Sequence, residues 1–119
     1  MNEELWQQVE REILAWPGVN KETFAGGGSP SGFQVPPATM FRYGRRELGH
    51  IHVTGTADLP VPQKVYQELI AGGRAQPHPA GFKGVVTYTI HSADDVPGVV
   101  ELFRLNYERA KAAQARTAA

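Results

Sequence analysis

The most informative segment of this chain for its architecture is residues 39–54, Thr39-Met40-Phe41-Arg42-Tyr43-Gly44-Arg45-Arg46-Glu47-Leu48-Gly49-His50-Ile51-His52-Val53-Thr54. Aromatic and apolar residues on both sides of the turn signal Gly44-Arg45 predict a β-hairpin. Successive side chains of a strand point to opposite faces, so His50 and His52 should lie on the same face.

Three other segments have helical patterns. Residues 3–16 carry apolar side chains at four-residue spacing and stop at Pro17-Gly18, and residues 63–71 show a shorter apolar stripe. The last helix should begin after Ser92, which has Asp95 three residues further on, in the register of a capping box.

Two more segments are predicted to be extended, a short one at residues 57–59 and a clearly alternating one at residues 84–91. The order helix, strands, helix, strand, helix predicts a single α+β domain over residues 1–119. A small, mainly antiparallel sheet would carry the N-terminal, middle and C-terminal helices on one face. The core should span about residues 3–110, and the alanine-rich tail 111–119 should fray.

Strand alternation also predicts which side chains share a face. The core face should hold Ile51, Val53, Val86, Tyr88 and Ile90. The opposite face should hold His50, His52, Thr87, Thr89 and His91. His78 lies between two prolines on a rigid, extended loop that could reach this second group.

A Gly/Pro-rich segment, residues 25–38, favours a flexible loop and resists both helix and strand pairing. It lacks the Gly-Lys-Ser/Thr ending of a P-loop and the spacing of a dinucleotide-binding loop, so a mobile loop or lid is the better interpretation.

Composition narrows the functional class. Twelve basic and twelve acidic side chains cancel, which argues against a nucleic-acid partner. The chain has no cysteine, so disulfides, thiolate metal sites and a cysteine nucleophile are excluded. The acidic N-terminus is unlike a secretory signal and no apolar run approaches the roughly 20 residues of a membrane span. We therefore expect a soluble, cytoplasmic protein with no membrane partner.

The histidines allow three interpretations. They could fill a polar sheet face as hydrogen-bonded structural residues. His50 and His52 could act as general acid and base in a small-molecule pocket, with His78 or Asp58 nearby. They could also bind Zn²⁺ or Fe²⁺, but the sequence identifies no third ligand, so we predict no metal site.

Basic residues near the hairpin turn are further candidates. Arg42 and Arg46 could hold an anionic substrate group, because a guanidinium can contact a carboxylate or phosphate through two hydrogen bonds. Solvated hairpin positions are the simpler interpretation. Asp58 could orient a histidine, or it could be a turn residue before Pro60.

The chain resembles the luciferase-domain family, which includes small bacterial proteins and fungal luciferases, over roughly residues 4–110. The motifs that carry the resemblance are Trp16-Pro17-Gly18-Val19, residues 41–52, Ala57-Asp58-Leu59-Pro60, Pro77-His78, Asp95-Val96-Pro97 and Asn106-Tyr107-Glu108-Arg109-Ala110. Fungal luciferases of this family oxidise 3-hydroxyhispidin, a hydroxylated pyrone, with molecular oxygen and emit light.

This resemblance implies an oxygenase-like pocket that needs no organic cofactor and uses molecular oxygen as co-substrate. His50, His52 and His78 would be the bases that deprotonate an enol. Asp58 would support them, and Arg46 would hold an anionic substrate group. The Gly/Pro-rich segment is longer than the usual family pattern.

The order of elements is also similar to that of the YjbR-like family of small α+β proteins. That likeness implies an alternative, a non-catalytic binding or protein-interaction module that uses the open sheet face. On the favoured hypothesis the partner is a small-molecule ligand.

Overall fold

The structure, a computed structural model, describes residues 4–28 and 34–118. Its helices and strands, in chain order, are α1 (Leu5–Leu14), β1 (Val19–Phe24), β2 (Gly27–Gly28), β3 (Gln34–Val35), β4 (Ala38–Tyr43), β5 (Arg46–His52), β6 (Thr56–Pro60), α2 (Gln63–Ala71), β7 (Gln76–Pro77), β8 (Val85–Thr89) and α3 (Val96–Ala118). The predicted hairpin and the predicted helix at residues 63–71 are confirmed.

Six strands form one antiparallel sheet in the order β1-β4-β5-β6-β8-β7. The three helices pack on one face of it, and their apolar side chains join a single core with those of the sheet. The predicted α+β class, with helices on one face, is therefore confirmed. Among residues 4–28 and 34–118, none of the helices combines the length and the apolar character that a membrane span requires.

The last helix begins as its sequence predicts. The Ser92 side chain accepts a hydrogen bond from the backbone N–H of Asp95, and Asp95 Oδ2 accepts one from the Ser92 N–H at 3.1 Å. A single 3₁₀ turn then leads into α3, which continues to Ala118 where we expected a frayed tail. Alanine, lysine, glutamine and arginine are strong helix formers, which accounts for the continuation.

The strands that the sequence does not predict include β1, β2 and β3. β1 has a largely polar sequence and is exposed along most of its length, because it is an edge strand held by pairing with β4. β2 and β3 form a two-residue ladder inside the segment that was expected to resist pairing, so that expectation is wrong for the ladder. Residues 29–33 of this segment, whose flexibility was predicted, lie outside the described residues.

A β-bulge in β5 positions the histidines. Phe41 pairs with Gly49 and the next residue of β4 pairs with Glu47, so Leu48 has no partner across the ladder. The extra residue lets Leu48 enter the core although His50, two positions later, points to the other face. Val53, predicted to be a core residue, is 41% exposed because β5 ends at the preceding residue.

Glycine is required at the bulge. Gly49 has φ of +150°, and a Cβ atom there would lie 2.8 Å from Cε1 of Phe103 and 2.9 Å from the backbone oxygen of Asp58. The backbone of β5 can therefore approach α3 and β6 closely only without a side chain at this position.

Candidate functional site

The candidate site lies on the sheet face that points away from the helices. Gly49 and Ile51 of β5 point into the core, so His50 and His52 point outward. Asp58 of β6 lies directly opposite His50, because the two residues are register partners. Asp58 is also the register partner of Thr87 of β8. The neighbouring strands β5, β6 and β8 thus bring these side chains together.

Asp58 is the centre of this group, although it is only 4% exposed. Its Oδ2 atom lies 3.1 Å from Nε2 of His50 and 3.4 Å from Nε2 of His52. Its Oδ1 atom accepts a hydrogen bond of 2.6 Å from the Thr87 hydroxyl and lies 3.8 Å from Nε2 of His78. We refer to these five residues as the Asp58 cluster.

For His52 and His78, the hydrogen bond made by Nδ1 shows which ring nitrogen carries the hydrogen. Nδ1 of His52 lies 3.1 Å from the Pro36 carbonyl oxygen, which can only accept, so Nδ1 carries a hydrogen. Nδ1 of His78 accepts from the backbone N–H of Ala80 at 3.0 Å, so the hydrogen of the neutral ring is on Nε2 and faces Asp58.

His50 lies between two carboxylates. Its Nε2 faces Asp58, and its Nδ1 lies 3.5 Å from Oε2 of Glu47. The hydrogen bonds to Asp58 and then to Glu47 raise the pKa of His50 to about 9 against the opposing effect of burial. In the protein without a bound metal, His50 is therefore an imidazolium at neutral pH.

The charge of Asp58 is stabilised in return. Burial favours the neutral carboxyl, but hydrogen bonds from His50 and Thr87 outweigh burial and lower its pKa. The cluster thus contains a buried carboxylate whose negative charge is balanced by an adjacent cation.

A cavity of about 520 Å³ opens in front of the histidines. Phe24, Val35, Ala38 and Met40 supply apolar parts of its wall. His50 and His52 form its polar end. A mostly apolar cavity with a few convergent polar groups is typical of a small-molecule site.

The remaining candidates are dispersed. Arg42 forms an ion pair of 2.5 Å with Glu22 of β1. Arg46 is exposed at the hairpin turn, where it lines a groove with the C-terminal part of α3. Burial, and to a smaller extent the nearby charge of Arg46, lowers the pKa of Arg109. His91, expected on the histidine face, lies beyond the end of β8, and its backbone N–H donates to Asp95.

Two contacts of the histidines were not predicted from the sequence. The Pro36 carbonyl orients His52 from a segment that has no pattern of its own, and Glu47 reaches His50 across the bulge. No sequence signal marks either contact, since both depend on how the loop and the bulge bend the chain.

A family model described as "Luciferase domain" matches residues 45–106, just over half of the 119 residues. The chain belongs to the luciferase-domain family. The matched region contains the whole Asp58 cluster, whereas the apolar cavity wall comes from residues before it. Membership indicates a function that involves a small molecule. No curated protein and no solved structure matches the chain at a significant level.

Proposed function

We propose that this luciferase-domain protein binds a small enolic or aromatic molecule in the 520 Å³ cavity and promotes its oxidation by molecular oxygen. The single observation that carries the proposal is the position of His50 and His52, which form the polar end of an otherwise apolar cavity and contact the buried carboxylate of Asp58.

The cavity suits a flat molecule with one acidic oxygen. Its apolar wall, which includes Phe24, Val35 and Met40, favours aromatic surface, and its volume is within the range of about 300–1,000 Å³ found for small-molecule sites. The acidic oxygen would be placed against the two histidines, where water is partly excluded.

His50 would act on the substrate through its charge. In the metal-free protein His50 is an imidazolium whose two N–H groups face the carboxylates of Asp58 and Glu47, so it cannot accept a proton and would offset part of the negative charge on a substrate oxygen without donating to it. An enolate is oxidised by molecular oxygen more readily than the neutral enol. The proposal thus gives His50 an electrostatic role and needs no organic cofactor.

The proposed roles of His52 and His78 depend on which ring nitrogen carries the hydrogen. Nδ1 of His52 donates to the Pro36 carbonyl, so Nε2 is the nitrogen that faces the cluster and the cavity end, where it could accept the enol proton. His78 presents an N–H to Asp58 and would keep that carboxylate ionised. Arg46 is not assigned a substrate contact, because it lies at the hairpin turn beside α3.

The test uses 3-hydroxyhispidin as the enolic probe. Binding is measured by calorimetry, and turnover by an oxygen electrode, substrate absorbance and light emission. We expect oxygen consumption that falls by about a hundredfold in His50→Asn and in His52→Asn, the scale of losing one charge-stabilising or proton-transferring group. His91→Asn is the matched control, since His91 is exposed and outside the cluster.

The outcomes separate the two candidate functions. Binding without oxygen consumption would favour the non-catalytic binding module. Oxygen consumption that is equal in His52→Asn and His91→Asn would show that oxidation does not occur at this site.

A further inference from the structure

We propose that His50, His52 and Asp58 form a binding site for one divalent transition-metal ion of the Zn²⁺ or Fe²⁺ type, at the polar end of the cavity. The ligand atoms would be Nε2 of each histidine and Oδ2 of the carboxylate. Two imidazoles and one carboxylate are a donor set that suits these ions and leaves coordination positions open.

Two of the three distances between the ligand atoms fit a shared ion. Donor atoms bound to one ion at about 2.0–2.2 Å, with angles near 90–110°, lie about 2.8–3.6 Å from each other. Oδ2 of Asp58 is 3.1 Å from Nε2 of His50 and 3.4 Å from Nε2 of His52. The ligand atoms all lie within 4.8 Å of one another, so rotation of the imidazole rings can bring the two nitrogens around the same ion.

Each ligand also has an outer-shell contact that orients it, as metal ligands usually do. Nδ1 of His52 donates to the Pro36 carbonyl, which leaves the Nε2 lone pair for the ion. Nδ1 of His50 faces the Glu47 carboxylate, an arrangement that recurs behind metal-bound histidines. Thr87 donates to Oδ1 of Asp58, which leaves Oδ2 for the ion.

One contact in the cluster suits a shared cation. Nδ1 of His52 donates to the Pro36 carbonyl, so Nε2 is the nitrogen that faces Oδ2 of Asp58, at 3.4 Å. A metal ion could be bound by both atoms at once. The distance is too long for a strong charge-assisted hydrogen bond, which is about 2.7–2.9 Å.

His78 is excluded as a fourth ligand in this arrangement. Its Nδ1 accepts a hydrogen bond from Ala80, so Nε2 carries the hydrogen and has no lone pair for an ion. It is instead a positioning residue that faces Oδ1 of Asp58 at 3.8 Å. His50 and His52 line the cavity, so the open coordination positions would face the substrate.

The inference concerns metal binding and does not depend on the proposed oxidation. If both hold, the ion would replace the imidazolium proton of His50 as the positive charge that stabilises the enolate. Nε2 of His52 would then be a ligand, so the enol proton would pass to water and not to His52. If only one of the two proposals is correct, the protein will either bind metal without substrate turnover or turn over substrate without binding metal.

The experiment titrates the chelator-treated full chain with Zn²⁺ by calorimetry and with Co²⁺ by visible absorption, which reports the ligand geometry directly. We expect one ion per chain. Asp58→Asn and His52→Gln should each lower the affinity by about a hundredfold or more, since losing even an outer-shell partner costs about 10–100-fold. His78→Asn should lose about tenfold, the lower end of that range, because its contact with Asp58 is long, at 3.8 Å.

His91→Gln is the matched control for surface histidines and should bind like the wild type. Circular dichroism checks folding, and His52→Gln carries the test if Asp58→Asn does not fold. The inference is overturned if the wild type binds neither ion, or if His52→Gln and His91→Gln bind equally well. Oxidation of 3-hydroxyhispidin by protein that binds no metal would overturn the metal site alone. One bound ion lost in His52→Gln, without any turnover, would support the metal site and contradict the proposed oxidation.

Discussion

Replacing Asn106 tests what holds the bulge of β5 in place. The side chain of Asn106, on α3, is 4% exposed, and its Nδ2 donates to the carbonyl oxygens of Leu48 and Pro60 at 2.9 Å each. The amide therefore ties the helix both to the bulge that orients His50 and to the end of the strand that carries Asp58. Asn106→Leu keeps the volume and removes both donors.

The expected loss can be worked from these two bonds. Each hydrogen bond contributes about 1 kcal/mol net, and a buried carbonyl left without a donor costs about 1–3 kcal/mol. The bond to Leu48 is buried, whereas that to Pro60 is partly buried, so only one carbonyl bears the full penalty. We expect Asn106→Leu to lower the free energy of unfolding by about 2–4 kcal/mol, a large fraction of the 5–15 kcal/mol typical of a domain.

Urea unfolding followed by circular dichroism measures this loss, and the slope with urea checks that the transition stays two-state. Asn20→Leu is the matched control, because Asn20 makes the same kind of bond, to Gly44 O at 3.3 Å, but is exposed. It should lose less than about 0.5 kcal/mol. A loss below about 1 kcal/mol in Asn106→Leu, or one equal to that of Asn20→Leu, would refute the role given to this amide.

Three other predictions concern stability. Gly49→Ala should lose about 2–4 kcal/mol in urea unfolding, because its φ of +150° strains any side chain and its Cβ would meet an aromatic ring at 2.8 Å; an unchanged midpoint would contradict the close approach. Tyr107→Phe should lose about 1 kcal/mol, since its hydroxyl donates to the Pro17 carbonyl at 2.7 Å, and a thermal midpoint equal to that of the wild type would exclude this contribution. In chelator-treated protein, the pKa of His50 is about 9 when folded and 6.5 when unfolded, so its pairing with Asp58 stabilises fully below pH 6.5 and is lost as pH rises through about 9. The loss should be on the order of 1–3 kcal/mol between about pH 6 and about pH 10, and Asp58→Asn should lack most of it; equal pH profiles for the two proteins would argue against the pair.

Much of the scaffold was predictable because its signals are local. The turn at Gly44-Arg45 and the alternation of strands place His50 and His52 on one face, and the structure confirms that placement. The capping box at Ser92 marks the start of the last helix for the same reason, since its partners are only three residues apart.

The exposed strand β1 could not be predicted in this way. Its sequence is mostly polar, and an edge strand needs only backbone pairing on one side, which leaves no hydrophobic pattern. The same holds for the ladder of β2 and β3, where two glycines supply backbone but no side-chain signal.

Sequence patterns alone were enough to place His50 and His52 on one face of a hairpin, inside an α+β domain of the luciferase-domain type. That Asp58 brings a third donor atom close to theirs, and that Arg46 lies at the hairpin turn beside α3, became clear only from the folded chain. Periodicity reports only the face to which a side chain points. Which residues meet across that face depends on strand order and register, and these are set by the bulge and by packing against α3.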